Sequence, residues 1–226
     1  MKKILHLTVI SCLLGITAFP FALAGQGRQF KREGRFKAGI MLGLNMSQID
    51  GDKYSGFNRP GIEGGLVGIT VLNRNSILST ELMFSQRGSR PTEKETRKRS
   101  EYNVRIRLNY IEVPVVYHHL YNEREDGSFS YSYHVGLSFG RLVSTKIEES
   151  AFNPVFTVKE RNSLIKDKDD IRKNDLSLIA GATFYFNRYF GVTLRGTFSL
   201  TPFYYPPETS ALRSYYLTLA GNYYLH

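Results

Sequence analysis

Four side chains of the types that act as nucleophile or general base lie close together in the sequence. His118 and His119 precede His134, and Ser138 follows His134 at the same strand parity. A serine beside a histidine can form a nucleophile and its general base, provided that a third group orients the imidazole. No acidic residue is obviously placed to do so, and three histidines at this spacing are weak evidence for a metal site. The sequence therefore predicts no catalytic residue, no metal and no cofactor.

A set of charged residues lies within stretches where polar and apolar residues alternate. These residues are Glu63, Glu81, Arg105, Arg107, Glu112 and Arg195. Alternation places them on the polar face of a strand, and charges buried there must be paired or solvated. We expect them to form a network of salt bridges in the interior of the protein. A path for protons or ions along the same side chains is the alternative.

The first 24 residues are typical of a secretory signal peptide. Lys2 and Lys3 precede a long apolar run that ends in Ala22-Leu23-Ala24, which predicts cleavage after Ala24. The only cysteine of the chain, Cys12, then leaves with the signal, so the mature protein has neither a disulfide framework nor thiol chemistry. We expect a signal peptide over 1–24, a short basic periplasmic lead over 25–34 and one domain over 35–226.

Positive charge is concentrated in one segment of the chain. The net charge is +10, and residues 87–107 contain eight basic and three acidic residues. An exported protein seldom meets nucleic acid, so anionic lipid head groups or polysaccharide are the expected partners. We predict an external loop that binds lipopolysaccharide or acidic glycan through Arg87, Arg90, Lys94, Arg97, Lys98 and Arg99. A solvated loop without a ligand is the alternative.

The elements that must position these residues are eight long strands. Alternating side chains predict strands over 36–48, 61–72, 76–87, 103–121, 129–147, 175–186, 190–200 and 215–225. In "YSYHVGLSFG", over 131–140, the large apolar residues share one parity, and the small and polar residues share the other. The parity of the fourth strand slips near Tyr110 to Glu112, which predicts a β-bulge. These runs of about 10–13 residues or more are near the 9–11 residues that cross a bilayer as a tilted strand, whereas an ordinary globular strand has about five or six.

The connections between the predicted strands alternate between short and long. Short turns on one side and long loops on the other are typical of an outer-membrane barrel. Aromatic residues at the strand ends predict girdles at both membrane interfaces, the lower one including Tyr117, Tyr121, Tyr131 and Tyr133. We therefore predict an all-β protein, an eight-stranded antiparallel transmembrane barrel with up-and-down topology. Its apolar face contacts lipid, its polar face fills the lumen, and both termini are periplasmic.

Four segments resemble the PorT-like family of outer-membrane β-barrels. They are "FKAGIMLGLNMSQIDGD", "RPGIEGGLVGITV", "ILSTELMFSQRGS" and "LNYIEVPVVYHH", of which "ELMFSQRG" and "LNYIEVPVV" are the strongest. The resemblance covers roughly residues 36–225. It implies an eight-stranded barrel in the outer membrane, and it favours an accessory role in protein secretion, since a member of that family takes part in a secretion system.

Three functions are compatible with this reasoning. The first is a non-enzymatic accessory in protein secretion or envelope assembly that acts through its loops and has a protein partner. The second is a small structural or adhesive barrel whose basic external loop binds surface glycan or lipopolysaccharide. A lipid-modifying enzyme that uses His134 is the minor alternative.

Overall fold

The computed structural model describes residues 35–51, 56–92, 103–150, 171–205 and 211–225. It contains eight strands: β1 (Phe36–Asp50), β2 (Arg59–Asn73), β3 (Ser76–Ser89), β4 (Asn103–Glu123), β5 (Phe129–Ser150), β6 (Asn174–Tyr185), β7 (Phe190–Ser199) and β8 (Arg213–Leu225). Each strand pairs antiparallel with its neighbours in the chain, and β8 pairs with β1 to close the barrel. The predicted fold is thereby confirmed. The predicted signal peptide, with Ala22 and Ala24, and the lead over 25–34 lie outside the described residues.

The outer surface of the barrel is apolar over most of its height. On β1 the side chains of Leu42 and Leu44 are 66% and 67% exposed, whereas Asn45 and Ser47, which have the opposite strand parity, are fully buried. The same alternation occurs on β5, where Leu137 is exposed and Ser138 is buried. Because the closed sheet satisfies its own backbone hydrogen bonds, this surface suits a hydrocarbon environment. The described part of the chain contains no helix long and apolar enough to span a bilayer.

The two ends of the barrel differ in how the strands are connected. At the end that we call the turn end, β2–β3, β4–β5 and β6–β7 are joined by short turns, and β1 begins and β8 ends there. Side chains fix these turns: the Asn187 carboxamide oxygen accepts hydrogen bonds from the backbone N–H groups of Tyr189 and Phe190, at 2.8 and 2.9 Å. The opposite end, which we call the loop end, has the longer connections.

The irregularity predicted in β4 is present, but the extra residue lies in β5. The pairing passes from Asn109 with Ser144 to Tyr110 with Leu142, so Val143 has no partner on β4. The alternation of β4 itself continues without a slip from Ile106 to Leu120. This regularity decides which way the loop-end half of β4 faces.

The predicted lumen position of Arg105 and Arg107 is wrong. Both side chains are exposed on the outside, whereas Ile106 and Leu108 point inward and are fully buried. β4 and β5 have 21 and 22 residues, about twice the length that crosses a bilayer, so their loop-end halves extend beyond the apolar belt. In this extension the side chains are arranged as in a water-soluble protein: the apolar ones face inward and the charged ones face outward.

Two apolar clusters occupy the interior. At the loop end the buried residues Ile49, Ile106, Leu108, Tyr110, Ile171, Phe203, Tyr204 and Leu212 pack together. Phe203 and Tyr204 are buried in this cluster and do not face the membrane interface. In the turn-end half, Met41, Val67, Ile69, Met83, Ala220 and Tyr224 form a second cluster. The polar groups of the lumen are therefore enclosed between and among apolar side chains.

Candidate functional site

The loop-end half of the lumen contains a buried cluster centred on Arg87. The Arg87 guanidinium forms ion pairs with Glu112 at 2.5 Å and with Asp175 at 2.7 Å, and the three side chains are only 1–3% exposed. The same guanidinium lies over the rings of Tyr110 and Tyr216, 4.4 and 4.7 Å from their centroids. Arg87 was predicted in the external basic loop, and this prediction is wrong. The two carboxylates that require a cation lie inside the barrel.

The remaining lone pairs of these two carboxylates are satisfied by hydroxyl groups. Glu112 accepts hydrogen bonds from Ser138 at 3.1 Å and from the Tyr216 hydroxyl at 3.2 Å, in addition to one from Ser85. Asp175 accepts hydrogen bonds from Ser177 at 2.8 Å and from Thr201 at 3.0 Å, in addition to one from Ser199. Buried charges are tolerated when they are paired and hydrogen-bonded in this way. We call Arg87, Glu112 and Asp175 the Arg87 cluster.

The turn-end half of the lumen contains a second cluster centred on Arg195. Its guanidinium holds the Glu81 carboxylate in a two-pronged contact of 2.8 and 2.9 Å, and both side chains are about 2% exposed. The Ser79 hydroxyl donates to Glu81 at 3.1 Å, and the Thr218 hydroxyl donates to the buried Glu63 at 2.5 Å. Among the predicted lumen residues, the structure therefore places Glu63, Glu81, Glu112 and Arg195 inside the barrel, and Arg105 and Arg107 outside it.

The histidines pack against each other rather than forming a catalytic relay. His118 and His134 are paired across β4 and β5, with their ring centroids 4.9 Å apart. Ser138 donates to Glu112 and not to His134. The Ser79 hydroxyl lies 3.0 Å from Nε2 of His118, but the nearby carboxylate, Glu81, contacts the serine instead of the other imidazole nitrogen. A nucleophile–base–acid relay needs the opposite order.

The lumen has little free volume around the Arg195 cluster. The cavity among Glu81, His118, Arg195 and the surrounding apolar residues measures about 10 Å³, which is room for about one water molecule. Within the described ranges, the His, Cys, Asp and Glu side chains form no group of three or more that could hold a metal ion.

The outer side of the β4–β5 extension carries a group of basic residues that we call the basic outer face. It consists of Arg105 and Arg107 on β4 and of Arg141 and Lys146 on β5, all of them exposed. Arg107 and Lys146 are directly paired across the two strands. The Nη1 atom of Arg141 also donates to the side chain of Asn174 at the start of β6.

Most of the predicted basic loop, namely Lys94, Arg97, Lys98 and Arg99, lies outside the described residues. Arg90 is described: its side chain is exposed, and its Nε donates to the backbone carbonyl of Asn58 at 2.6 Å.

Comparison with known proteins assigns the family. Residues 25–205 match the family model described as outer membrane protein beta-barrel domain. The chain belongs to this family. Its strands therefore cross the outer membrane, with the apolar outer surface in contact with lipid. No curated protein matches the sequence.

Two solved outer-membrane barrels resemble the structure of this family member. Ail of Yersinia pestis, solved in complex with the heparin analogue sucrose octasulfate, is 13% identical, with a TM-score of 0.46 over 85% of this chain and 100% of that chain. Neisserial surface protein A is 8% identical, with a TM-score of 0.42 over 84% of this chain and 97% of that chain. At these identities the likeness concerns the fold alone.

The sequence analysis of this outer-membrane barrel placed Arg87 in the wrong part of the protein and did not identify Asp175 as a lumen residue. Arg87 shares the strand parity of Ser85 and Glu81, and this parity alone places it inside the barrel. Asp175 shares the parity of Ser177, but its ion pair with Arg87 joins residues 88 positions apart. The parity was visible in the sequence, whereas the contact across the lumen was not.

Proposed function

We propose that this protein is a non-enzymatic, sealed outer-membrane barrel that acts by contact at its loop end rather than by transport through its lumen. The observation that carries the proposal is the filling of the lumen by the Arg87 cluster, the Arg195 cluster and the two apolar clusters. An eight-stranded barrel is just wide enough for its own side chains to fill. A conducting path would require the buried ion pairs to separate without a replacement for either partner, at a cost of about 3–5 kcal/mol for each pair.

Electrical recording tests the seal directly. The mature protein is inserted into a planar bilayer, and the current is recorded in a simple salt solution at both polarities. We expect a baseline without defined conductance steps. Regular steps that scale with salt concentration would contradict the proposal, because they would demonstrate a continuous aqueous path.

The proposed orientation places the turn end and both termini in the periplasm and the loop end outside. An even number of strands brings the start of β1 and the end of β8 to one end, which is also the end with the short turns. The family match begins at residue 25, directly after the predicted cleavage site. The orientation is tested in intact cells with single-cysteine variants and a membrane-impermeant maleimide. Arg90→Cys should be labelled, and Glu125→Cys should be labelled only after lysis.

The basic outer face favours an anionic surface glycan or lipopolysaccharide as the ligand of this contact. Arginine presents a planar fork of donors that suits phosphate and carboxylate groups. The alternative of an accessory role in protein secretion or envelope assembly is supported by the PorT-like resemblance of the sequence. Purification from membranes after mild cross-linking separates the two: a stoichiometric protein partner supports the accessory role, and co-purifying glycolipid without such a partner supports ligand binding.

A further inference from the structure

We propose that Arg172 and Tyr205 form a binding site at the loop end for an acidic sugar of a surface glycan. The Tyr205 ring receives the apolar face of the sugar ring, and the Arg172 guanidinium receives the sugar carboxylate. The site deepens the proposed function and rests on the proposed orientation, in which the loop end faces outward. It differs from the predicted loop site and from the basic outer face, because its residues lie just before β6 and after β7.

The Arg172–Tyr205 pair is an exposed cation–π contact. The guanidinium carbon of Arg172 lies 5.2 Å from the centroid of the Tyr205 ring, and within the described ranges no carboxylate forms an ion pair with this guanidinium. Tyr205 keeps 56% of its surface exposed although the guanidinium covers one ring face. A guanidinium stacked on a ring keeps its N–H donors at its edges, where they can contact a planar anion. The pair therefore presents an apolar ring and a fork of donors next to each other.

The apolar cluster of the loop end holds the two side chains in place from below. Ile171, Phe203 and Tyr204 are only 2–4% exposed in this cluster, so the residues beside Arg172 and Tyr205 are packed in the interior. The backbone N–H of Arg172 donates to the Phe203 carbonyl at 2.8 Å, which ties the two segments together. A site whose side chains are positioned before the ligand arrives loses less conformational entropy on binding.

The pair lies beyond the aromatic residues that mark the loop-end interface. Phe198 and Tyr215 are directly paired, with their ring centroids 6.0 Å apart. The bridge between Tyr204 and Leu212 lies three residues further toward the loop end along the chain of β8, which is about 10 Å at about 3.4 Å per residue. With a strand tilt of about 35–45° this is about 7–8 Å in height, and the head-group layer of one leaflet is about 5–7 Å thick. Tyr205 therefore faces the external solution.

The surroundings of the pair favour a glycan over a protein as the partner. Lys173 directly follows Arg172 and is exposed. Arg213, also exposed, follows Leu212, which is bridged to Tyr204. A protein interface buries about 800 Å² on each partner around a centre from which charged residues are depleted, and charged side chains beside the pair do not suit such a centre. An acidic sugar needs only the electron-rich face of one aromatic ring for its C–H groups and a few donors for its carboxylate.

The test uses the absence of tryptophan from the chain. Tyr205→Trp keeps an aromatic ring in the site and makes it the only tryptophan. The second reporter, Phe57→Trp, lies on the β1–β2 connection beside Asn58, whose carbonyl accepts from Arg90 of the predicted basic loop. Each mature variant is folded in lipid nanodiscs and checked by heat-modifiable gel mobility. It is then titrated with trigalacturonate, with the methyl ester of this sugar, which lacks the charge, or with acetate, which lacks the sugar ring.

We expect trigalacturonate to change the fluorescence of Tyr205→Trp and not that of Phe57→Trp. Adding Arg172→Gln to Tyr205→Trp removes the donors for the carboxylate, so the acidic sugar should bind at least about ten-fold more weakly and no better than its ester. The matched control Arg213→Gln removes the same charge from a neighbouring arginine and should preserve the preference for the acid over its ester. Tyr205→Leu, measured by calorimetry, should weaken both sugars by a similar factor of roughly two to ten.

Four results would overturn the proposal. They are the absence of trigalacturonate binding to the natural protein, binding without a response of Tyr205→Trp, a preference for the acid that survives Arg172→Gln, and an equal effect of acetate. A response of Phe57→Trp alone would place the glycan at the predicted basic loop, which rejects this site and leaves the proposed contact at the loop end intact. Failure of the sealed barrel gives a different result, namely conductance steps in the planar bilayer, whatever the sugar titrations show.

Discussion

Substitution of Arg87 by methionine should cost the barrel a large part of its stability. The change leaves Glu112 and Asp175 buried, 1–3% exposed, without their cation. Removing one partner from a buried ion pair costs about 3–5 kcal/mol. Glu112 keeps hydrogen bonds from Ser138 and Tyr216 in the variant, so we expect the lower end of this range, about 3 kcal/mol.

A combined variant separates the ion pairs from the packing of the side chain. Replacing the whole Arg87 cluster with R87M, E112Q and D175N removes all three charges while keeping similar volumes. The triple variant leaves no buried charge without its partner, and the amide oxygens of Gln and Asn still accept from the surrounding hydroxyl groups, so it should be more stable than R87M alone. Arg90→Met is the control: it removes an exposed arginine three residues away and should change stability by less than about 1 kcal/mol.

The assay is equilibrium unfolding in urea from lipid vesicles, with the folded fraction followed by heat-modifiable gel mobility and by tyrosine fluorescence. Both the midpoint and the slope are fitted, since a changed slope would indicate a change in the unfolded or folded state. The reasoning is refuted if R87M loses no more stability than Arg90→Met, or if the triple variant is less stable than R87M. Either result would mean that the Arg87 cluster is not a closed, desolvated unit.

Three further predictions concern the backbone, one turn and the histidines. Gly65→Ala should destabilise the barrel by about 1–3 kcal/mol in the same urea assay, because a Cβ there would lie 2.0 Å from the Leu82 carbonyl oxygen. Gly68→Ala is the control and should be tolerated, because a Cβ at that position lies no nearer than 3.5 Å to any neighbouring atom. The Ser128 hydroxyl and N–H donate to the Asp126 carboxylate and lower its pKa. The turn is therefore most stable above the ordinary carboxyl pKa and loosens as the pH falls through the lowered value. The protection of the Ser128 amide against exchange, relative to its intrinsic rate at the same pH, should therefore fall in acid, and this pH dependence should be absent in Asp126→Asn. His134→Ala should leave lipid turnover by reconstituted protein unchanged, and a reproducible loss of turnover would revive the enzymatic alternative.

The sequence predicts the strands well because lipid outside and polar groups inside impose a strict two-residue period. β5 shows this best: Leu137 and Phe139 must meet hydrocarbon, and Ser132 and Ser138 must not. Asparagine and glycine in the short turns mark the turn end, and no long-range information is needed to find them.

The same rule fails where the barrel leaves the lipid. For Arg105 and Arg107 the expectation that charged residues point into the lumen is wrong, because the medium outside the extension is water or head groups. The length of β4 carries the missing signal, since 21 residues exceed what a bilayer requires. The ion pair between Arg87 and Asp175 could not be predicted from the sequence for another reason. The two residues are 88 positions apart and come into contact only when the sheet closes into a barrel.

A cysteine scan over residues 131–140 of β5 tests the central claim most directly. The only natural cysteine, Cys12, lies in the predicted signal peptide, so each mature variant carries a single spin label. Electron paramagnetic resonance then measures how often the label collides with oxygen, which concentrates in the lipid, and with a nickel chelate, which stays in the water. We predict oxygen accessibility at Tyr133, Leu137 and Phe139, and accessibility to neither reagent at Ser132 and Ser138. Chelate accessibility at the two serines, or a profile without the two-residue alternation, would contradict a sealed barrel with its apolar face in the membrane.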